Sequence, residues 1–380
     1  MNHARGRVLP EPQRRLLADG RQIAYFSNAE TPPEPGVDRR EFTPRPTSSP
    51  THLRRDPRTG TWVMMAPARQ DRTYKPPRNM CPLCPDETGQ SSEVPGTSYD
   101  VAVFENRFPS LSTASVGSDF TLPAPITDLE VQAPGYGRCE VVCFTDRHDG
   151  SFAELTVDQA RLVIDAWSER TVDLLSRDGV EEVFCFENRG EEIGVTLAHP
   201  HGQIYAYPFL TERTAALLAE AQRYHAASGR DLFESILDAE RADGRRILLQ
   251  TEHTTAFVPY AARWPVEVHV YSNRKVGQLA ELTEAEADDL ARTYLTVLRA
   301  FDALYDEPLP YIASWNQFGP TVDGRLHAEL FSIRRSRDKL KYLAGSESAR
   351  GAFVTDKTPE TIAAELRAVL PAIETVEEGA

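Results

Sequence analysis

Ala198-His199-Pro200-His201-Gly202-Gln203-Ile204-Tyr205-Ala206-Tyr207-Pro208 carries two of the chain's nine histidines, one residue apart, and runs into an apolar, aromatic segment. A strand opening at His201 sends successive side chains to opposite faces, so His199, His201 and Gln203 are expected on the same one. Gly202 would leave room for a ligand to approach the backbone. Two imidazoles and an amide in a row suit chemistry, although a pair of histidines satisfied by packing has the same spacing. The rest of the chain decides between the two.

Working outward, Glu140-Val141-Val142-Cys143-Phe144 reads as a strand that ends in Arg147-His148. Thr156-Val157-Asp158-Gln159 reads as a capping box opening a helix through Leu175. Glu182 to Glu187 is the next strand, with a turn through Asn188-Arg189-Gly190, and 212 to about 243 is helical. The pattern then starts again. Glu267 to Lys275 parallels Glu140 to His148, Ala280-Glu281-Leu282-Thr283 repeats Ala153-Glu154-Leu155-Thr156, and Asn316 answers Asn188. At a constant offset His327 answers His199 and Glu329 answers His201. This is an internal duplication of a strand-helix-strand unit. The second copy has Lys275 in place of His148 and no second Cys-x-x-Cys, so covalent and metal chemistry is expected in the first half.

The bulk numbers narrow the class. A chain of 380 residues with 41% hydrophobic and 26% charged residues suits a globular protein with a large core. A net charge of -15 argues against a nucleic-acid partner, and no apolar run is long enough for a membrane span. The Arg-rich N-terminus lacks a secretory h-region, and five cysteines with a close Cys81-x-x-Cys84 suit a reducing compartment, so a cytoplasmic setting is expected. Three segments are expected: 1–50 as an extension, 51–210 as the half with metal and catalytic histidine, and 211–380 as the second half. Within the extension, Leu16 to Phe26 reads as a hairpin around Asp19-Gly20, and Thr31 to Pro50 as a loop or arm.

Cys81 and Cys84 supply half of a tetrahedral site, and His148 and His199 are the best partners; a Cys-x-x-Cys used for redox is the alternative. With His199 held by metal, His201 would be free to attack phosphorus and form a phosphoramidate, its far nitrogen fixed by a backbone carbonyl. Gln203 can donate to a phosphoryl oxygen but cannot move a proton at neutral pH, which favours transfer to another phosphate over hydrolysis. Arg69 and Arg72 lie in a Pro- and Arg-rich loop beside the cysteines and suit anion binding. The basic run Arg334 to Lys341 in an acidic chain suits gathering a phosphorylated substrate.

His199-Pro200-His201-Gly202-Gln203, with Cys81-x-x-Cys84, Phe104-Glu105-Asn106, Phe186-Glu187-Asn188 and Gly345-Ser346-Glu347, resembles the galactose-1-phosphate uridylyltransferases of the histidine-triad superfamily. The resemblance spans roughly residues 50 to 370. It implies an α+β fold of duplicated histidine-triad units, antiparallel sheets flanked by helices. It implies transfer of the uridylyl group from UDP-glucose to galactose 1-phosphate, through a covalent uridylyl-His201, with Gln203 holding phosphoryl oxygens. Cys81, Cys84, His148 and His199 match zinc ligands, and Arg69 and Arg72 match phosphate-binding arginines. Asn106, Phe108, Asn188, Gly194 and Thr196 match positions around the nucleotide. Lys341 and Glu347 match a sugar-phosphate segment reaching in from the second subunit of a homodimer. Some members hold a second metal with three histidines and a carboxylate; here His327 has Asn316 and Glu329 as neighbours, which argues against that site. Ser346 stands where some members have Tyr, and Arg107 where some have Asp. A sibling nucleotidyltransferase or phosphorylase acting on ADP-glucose or a dinucleoside polyphosphate is the nearest alternative, and a non-catalytic zinc-stabilised binding protein a more distant one.

Overall fold

The computed structural model describes residues 7–42, 51–71, 75–113, 124–319 and 322–377. Eleven strands form one sheet: β1 (Gln13–Leu16), β2 (Gln22–Phe26), β3 (Val101–Glu105), β4 (Arg138–Cys143), β5 (Glu182–Arg189), β6 (His201–Tyr207), β7 (Ile247–Gln250), β8 (Thr254–Phe257), β9 (Val266–Ser272), β10 (Tyr311–Asn316) and β11 (His327–Ser332). Their order across the sheet is β1-β2-β3-β4-β6-β5-β10-β11-β9-β8-β7, with every neighbour antiparallel. Leaving β1 aside, β2-β3-β4-β6-β5 is mirrored by β7-β8-β9-β11-β10 about the β5–β10 seam, where Cys185 faces Trp315. The duplication is therefore built into one continuous sheet.

The helices are α1 (Val157–Leu175), α2 (Glu212–Ser228), α3 (Leu232–Asp243), α4 (Glu284–Ala303), α5 (Gly345–Arg350) and α6 (Pro359–Glu377). Helices α1, α4 and α6 cover one face of the sheet through a core that includes Trp167, Tyr294, Phe301, Trp315 and Leu366. The caps explain where the two equivalent helices begin. Thr283 and Glu286 form a reciprocal capping box at α4, worth about 1 kcal/mol. At α1 only half of the expected box exists: Thr156 accepts from the Gln159 backbone N–H at 3.1 Å. The Gln159 amide instead donates to the Asp100 and Phe144 carbonyls, both at 2.7 Å, pinning the helix to the strand ends below the site. The single helical stretch read over 212 to about 243 is two helices, α2 and α3, because Gly229 takes the left-handed conformation (φ 70°).

The hairpin read in the N-terminal segment is present, and β2 pairs with β3, so part of that segment forms the sheet edge. Arg7 is buried between the halves, donating to Asp165 on α1 at 2.8 Å and to the Leu279 carbonyl before α4. A small sheet of His52–Arg55, Trp62–Met65 and Gln132–Pro134 precedes and follows the loop that carries the cysteines.

The register corrects one sequence reading. Across β5 and β6 the Glu182–Tyr207 register sets Asn188 against His201, and across β10 and β11 Asn316 faces His327. His327 therefore takes the place of His201, not His199, and Glu329 takes that of Gln203. The connection between the paired strands is two residues shorter in the second half, so a constant offset in sequence misassigns the pair.

Candidate functional site

His201 opens β6, and alternation from there sends His201, Gln203 and Tyr205 to the face away from α1 and α4. Ile204 and Ala206 face the helix-covered core. Gly202 points the same way, and a Cβ there would lie 2.8 Å from both the Phe144 ring and the Phe186 carbonyl oxygen. The expectation that Gly202 makes room for a ligand is thus corrected: its missing side chain makes room for the core.

The His201 Nδ1–H donates to the His199 carbonyl at 2.8 Å, which fixes the tautomer and leaves Nε2 with its lone pair. Burial holds this imidazole below its ordinary pKa, so it is neutral at pH 7. His201 lies on the wall between two cavities, of about 590 and 340 Å³. The larger is lined by Arg69, Asn106, Phe108, Gln203 and Tyr205 as well as His201. Asn188 and Thr196 line both cavities, and Gly194 (φ 87°) turns the loop at the mouth of the larger one.

Local bonds set these side chains. Asn106 accepts the Phe108 backbone N–H at 2.8 Å, which holds both residues at the end of β3. The Arg69 guanidinium donates to the Phe108 carbonyl at 3.3 Å and to the Tyr205 hydroxyl at 3.4 Å, long bonds for a charged donor. The Gln203 side chain makes no hydrogen bond with the described residues, so its amide is available to a ligand. Arg72 lies outside the described residues.

Cys81, Cys84, His148 and His199 converge, with one ligand atom from each within 4.8 Å of all the others. Cys84 Sγ is 3.3 Å from His148 Nδ1 and 3.6 Å from His199 Nδ1. A tetrahedral ion with Zn–S bonds of about 2.3 Å and Zn–N bonds of about 2.0 Å needs separations of this order. The His199 Nε2–H is directed to the Thr145 carbonyl at 2.8 Å, which turns Nδ1 toward the sulfurs, and the Tyr99 hydroxyl lies 2.9 Å from the same nitrogen. Burial pulls His199 down to about 4 and pushes the Cys84 thiol up to about 12. Four soft donors, one an acidified imidazole and one a thiol that only a cation would ionise, fit a metal ion.

Lys341 and Glu347 line neither cavity. They pair with each other at 3.0 Å, and Lys341 Nζ also donates to the Val354 carbonyl. The basic run is neutralised by carboxylates of both halves: Arg334 pairs with Glu192 of the first half at 3.0 Å, Arg335 with Asp356 at 2.7 Å and Arg337 with Asp306. Near His327, Glu329 is gripped by the Arg213 guanidinium, with two contacts of 2.7 Å. Sequence reading passed over Arg40, Glu93 and Tyr205 as cavity residues. Tyr205 was in plain view two residues after Gln203; the other two reach the cavity through folding of loops that carry no periodic signal.

A family model described as the N-terminal domain of galactose-1-phosphate uridyl transferase matches residues 40–211, and one described as the C-terminal domain matches 218–373. A galactose-1-phosphate uridylyltransferase of Streptomyces lividans is 44% identical over 366 residues, spanning 93% of this chain and 96% of its own. One from Thermotoga maritima is 34% identical over 320 residues, spanning 83% and 97%. A solved uridylyltransferase structure superposes with a TM-score of 0.75 at 32% identity, over 85% of this chain and 99% of that one. An ADP-glucose phosphorylase of Arabidopsis thaliana, at TM-score 0.63 and 19% identity over 83% and 98%, shares the fold.

Proposed function

Because the chain belongs to the galactose-1-phosphate uridyl transferase family, we propose that His201 is the nucleophile with which it moves a uridylyl group from UDP-glucose to galactose 1-phosphate. The chain is a nucleotidyltransferase. The observation that carries the assignment to His201 is its Nδ1–H bond to the His199 carbonyl beside the larger cavity, which leaves the other nitrogen nucleophilic.

In the first half-reaction His201 Nε2 attacks the α-phosphorus of UDP-glucose. The N–P bond forms, the bond from phosphorus to the bridging oxygen breaks, and glucose 1-phosphate leaves with that electron pair. A phosphate monoester is a stable anion at pH 7, so no general acid is needed. In the second half-reaction a phosphate oxygen of galactose 1-phosphate attacks the same phosphorus, the N–P bond breaks, and UDP-galactose departs. Gln203 donates to the non-bridging oxygens, where charge builds, and cannot take a proton from an attacking water. Arg69 adds charge there, with Arg72 assigned beside it; Asn106, Phe108, Asn188, Gly194 and Thr196 surround the nucleotide and sugar.

Cys81, Cys84, His148 and His199 would hold zinc, whose contribution is folding energy for the loop and the strand entry that carry the site. The Arg213–Glu329 pair supports one metal per chain rather than two. Lys341 and Glu347 are assigned to the sugar phosphate through a homodimer, in which one copy's segment reaches its partner's cavity. No described helix is long and apolar enough to cross a membrane, and the five cysteines are free, which suits the cytoplasm. The segments 1–50, 51–210 and 211–380 then act as arm and sheet edge, catalytic half and supporting half.

Mass spectrometry of the protein after incubation with UDP-glucose alone tests this. A uridylyl adduct on His201, with an equivalent of glucose 1-phosphate released, is expected. No adduct, or an adenylyl adduct formed only from ADP-glucose, would overturn the reading.

A further inference from the structure

The N-terminal arm runs into the matching family model at residue 40 and reaches the substrate cavity there, through Arg40. The approach is close. The Gly36 N–H donates to the Pro95 carbonyl at 3.1 Å and the Arg39 N–H to the Gly89 carbonyl at 2.8 Å. A Cβ on Gly36 would come within 2.6 Å of the Gly96 nitrogen, and one on Gly89 within 2.1 Å of the Val37 carbonyl oxygen. This backbone-on-backbone contact fixes where Arg40 and Phe42 emerge.

Arg40 is held on both sides. Its guanidinium makes a two-bond fork with Asp38, each bond 2.8 Å, and contacts Glu93 at 3.0 Å. Glu93 also binds Arg21 of the β1–β2 hairpin at 2.5 Å, and its backbone N–H donates to the Pro82 carbonyl beside the cysteines. The Arg107 guanidinium is 3.9 Å from the same carboxylate. The guanidiniums of Arg40 and Arg107 both contact the Phe42 ring, each 5.0 Å from its centroid, and Arg107 meets the Phe108 ring at 5.7 Å. Arg40, Arg107 and Phe108 line the larger cavity together with the apolar Leu83, Phe104 and Val141.

We propose that the N-terminal arm builds the nucleoside end of this cavity, with Arg40 and Phe42 positioning Arg107 as a specificity-determining contact for the base of the donor nucleotide. The inference rests on the transferase reading above. The apolar patch suits a flat base, while His201, Gln203 and Arg69 take the phosphates. Arg107 is donor-only, so it favours a base whose edge carries carbonyl oxygens, such as uracil, over one whose edge carries an amino donor, such as adenine. Stacking on two rings limits the guanidinium's rotation, so the entropy of fixing it is lost on folding rather than on binding.

The test measures both half-reactions for wild type, Phe42→Ala, Arg107→Ala and Phe42→Tyr, with UDP-glucose and ADP-glucose as donors. Phe42→Ala removes the ring that both guanidiniums contact without stranding a charge. Both alanine variants are expected to raise KM for UDP-glucose about tenfold with little change in kcat, to leave KM for galactose 1-phosphate unchanged, and to narrow the preference for UDP-glucose over ADP-glucose. Phe42→Tyr keeps the stack and should behave as wild type. Unchanged donor KM and preference in both alanine variants, or equal loss toward both substrates, would overturn the proposal. Wild type separates the two levels: if it transfers no uridylyl group the functional reading fails, whereas normal wild-type transfer with unaltered variants sinks only the role of the arm.

Discussion

His201 and His327 occupy the same place in the two halves of one sheet, and both direct Nδ1 to the carbonyl two residues earlier, His199 and Arg325, at 2.8 Å. There the likeness ends. His201 stands at the wall between two cavities, whereas His327 is 1% exposed, stacked on Tyr271 at 4.8 Å and flanked by Phe233 and Phe318. Phe233 belongs to α3, which with α2 packs over Phe257 and Tyr271 on the second half's outer face. In the first half that face is left to loops, one of which carries the cysteines. Fixing Nδ1 on a backbone carbonyl is thus a property of the repeat; what separates the two is whether the other nitrogen faces a cavity, as the role proposed for His201 requires. The residue two positions on differs accordingly. Gln203 keeps its amide free, while Glu329 is engaged by Arg213 and held well below the usual carboxylate range despite its burial, by His327, His269 and Arg213.

The sharpest way to break this contrast is to truncate the two histidines separately. His201→Ala should lower uridylyl transfer by about 10⁴-fold or more while leaving the thermal midpoint close to wild type, read from steady-state kinetics and calorimetry. His327→Ala should do the reverse, costing about 2–3 kcal/mol of stability through a cavity in a packed face and retaining the saturated rate. Comparable rates in the two variants would show that the halves are not divided as described.

Metal binding should sort the same way. Cys81→Ser is expected to lower metal content, measured by elemental mass spectrometry, and to destabilise the chain by several kcal/mol, since about 10 kcal/mol or more of binding energy is available to a structural zinc site. Arg213→Ala should leave metal content unaltered. It strands Glu329 and costs about 2 kcal/mol, the modest figure reflecting the partial exposure of Arg213.

The smallest effect is one of pH. Glu187 stands in the first half where Trp315 stands in the second, and burial raises its carboxyl from 4.5 to about 8. The folded chain therefore holds a proton that the unfolded chain releases between those values. The stabilisation is complete below about pH 4.5 and is lost as pH rises through about 8. Glu187→Gln keeps a neutral group at every pH, so it should match wild type near pH 5 and exceed its stability by a margin that grows as pH rises toward 8.5, measured by denaturant titration. A constant difference across that range would contradict the protonated carboxyl.

Much of this was readable from the chain. His199-Pro200-His201-Gly202-Gln203 marks the strand entry, and the capping residues Thr156 and Thr283 mark equivalent helices, because caps and alternation are local signals. Cys81 and Cys84 announced half of the candidate metal cluster, and the repeat pointed to His148 by placing Lys275 at the equivalent position, while His199 was read as the best remaining partner. The reading failed where only tertiary contact decides. A two-residue difference in connection length turned His327 into the wrong partner. The basic run at Arg334 looked free because the carboxylates that neutralise it, such as Glu192 and Asp356, are brought in by other loops. Arg40 was hidden in a Pro-rich stretch whose course is fixed by backbone contact with Gly89 and Pro95, which no pattern of side chains encodes.

The seam between β5 and β10 has a consequence for how the molecule turns over. Five residue pairs, from Cys185 against Trp315 to Arg189 against Tyr311, weld the halves into a single pleated plate with no hinge between them. That weld leaves the halves no hinge on which to close like a clam shell, and the loop of Gly190 to Leu197 rims both cavities. The same weld should make the halves melt together, as one cooperative unit under a single calorimetric peak.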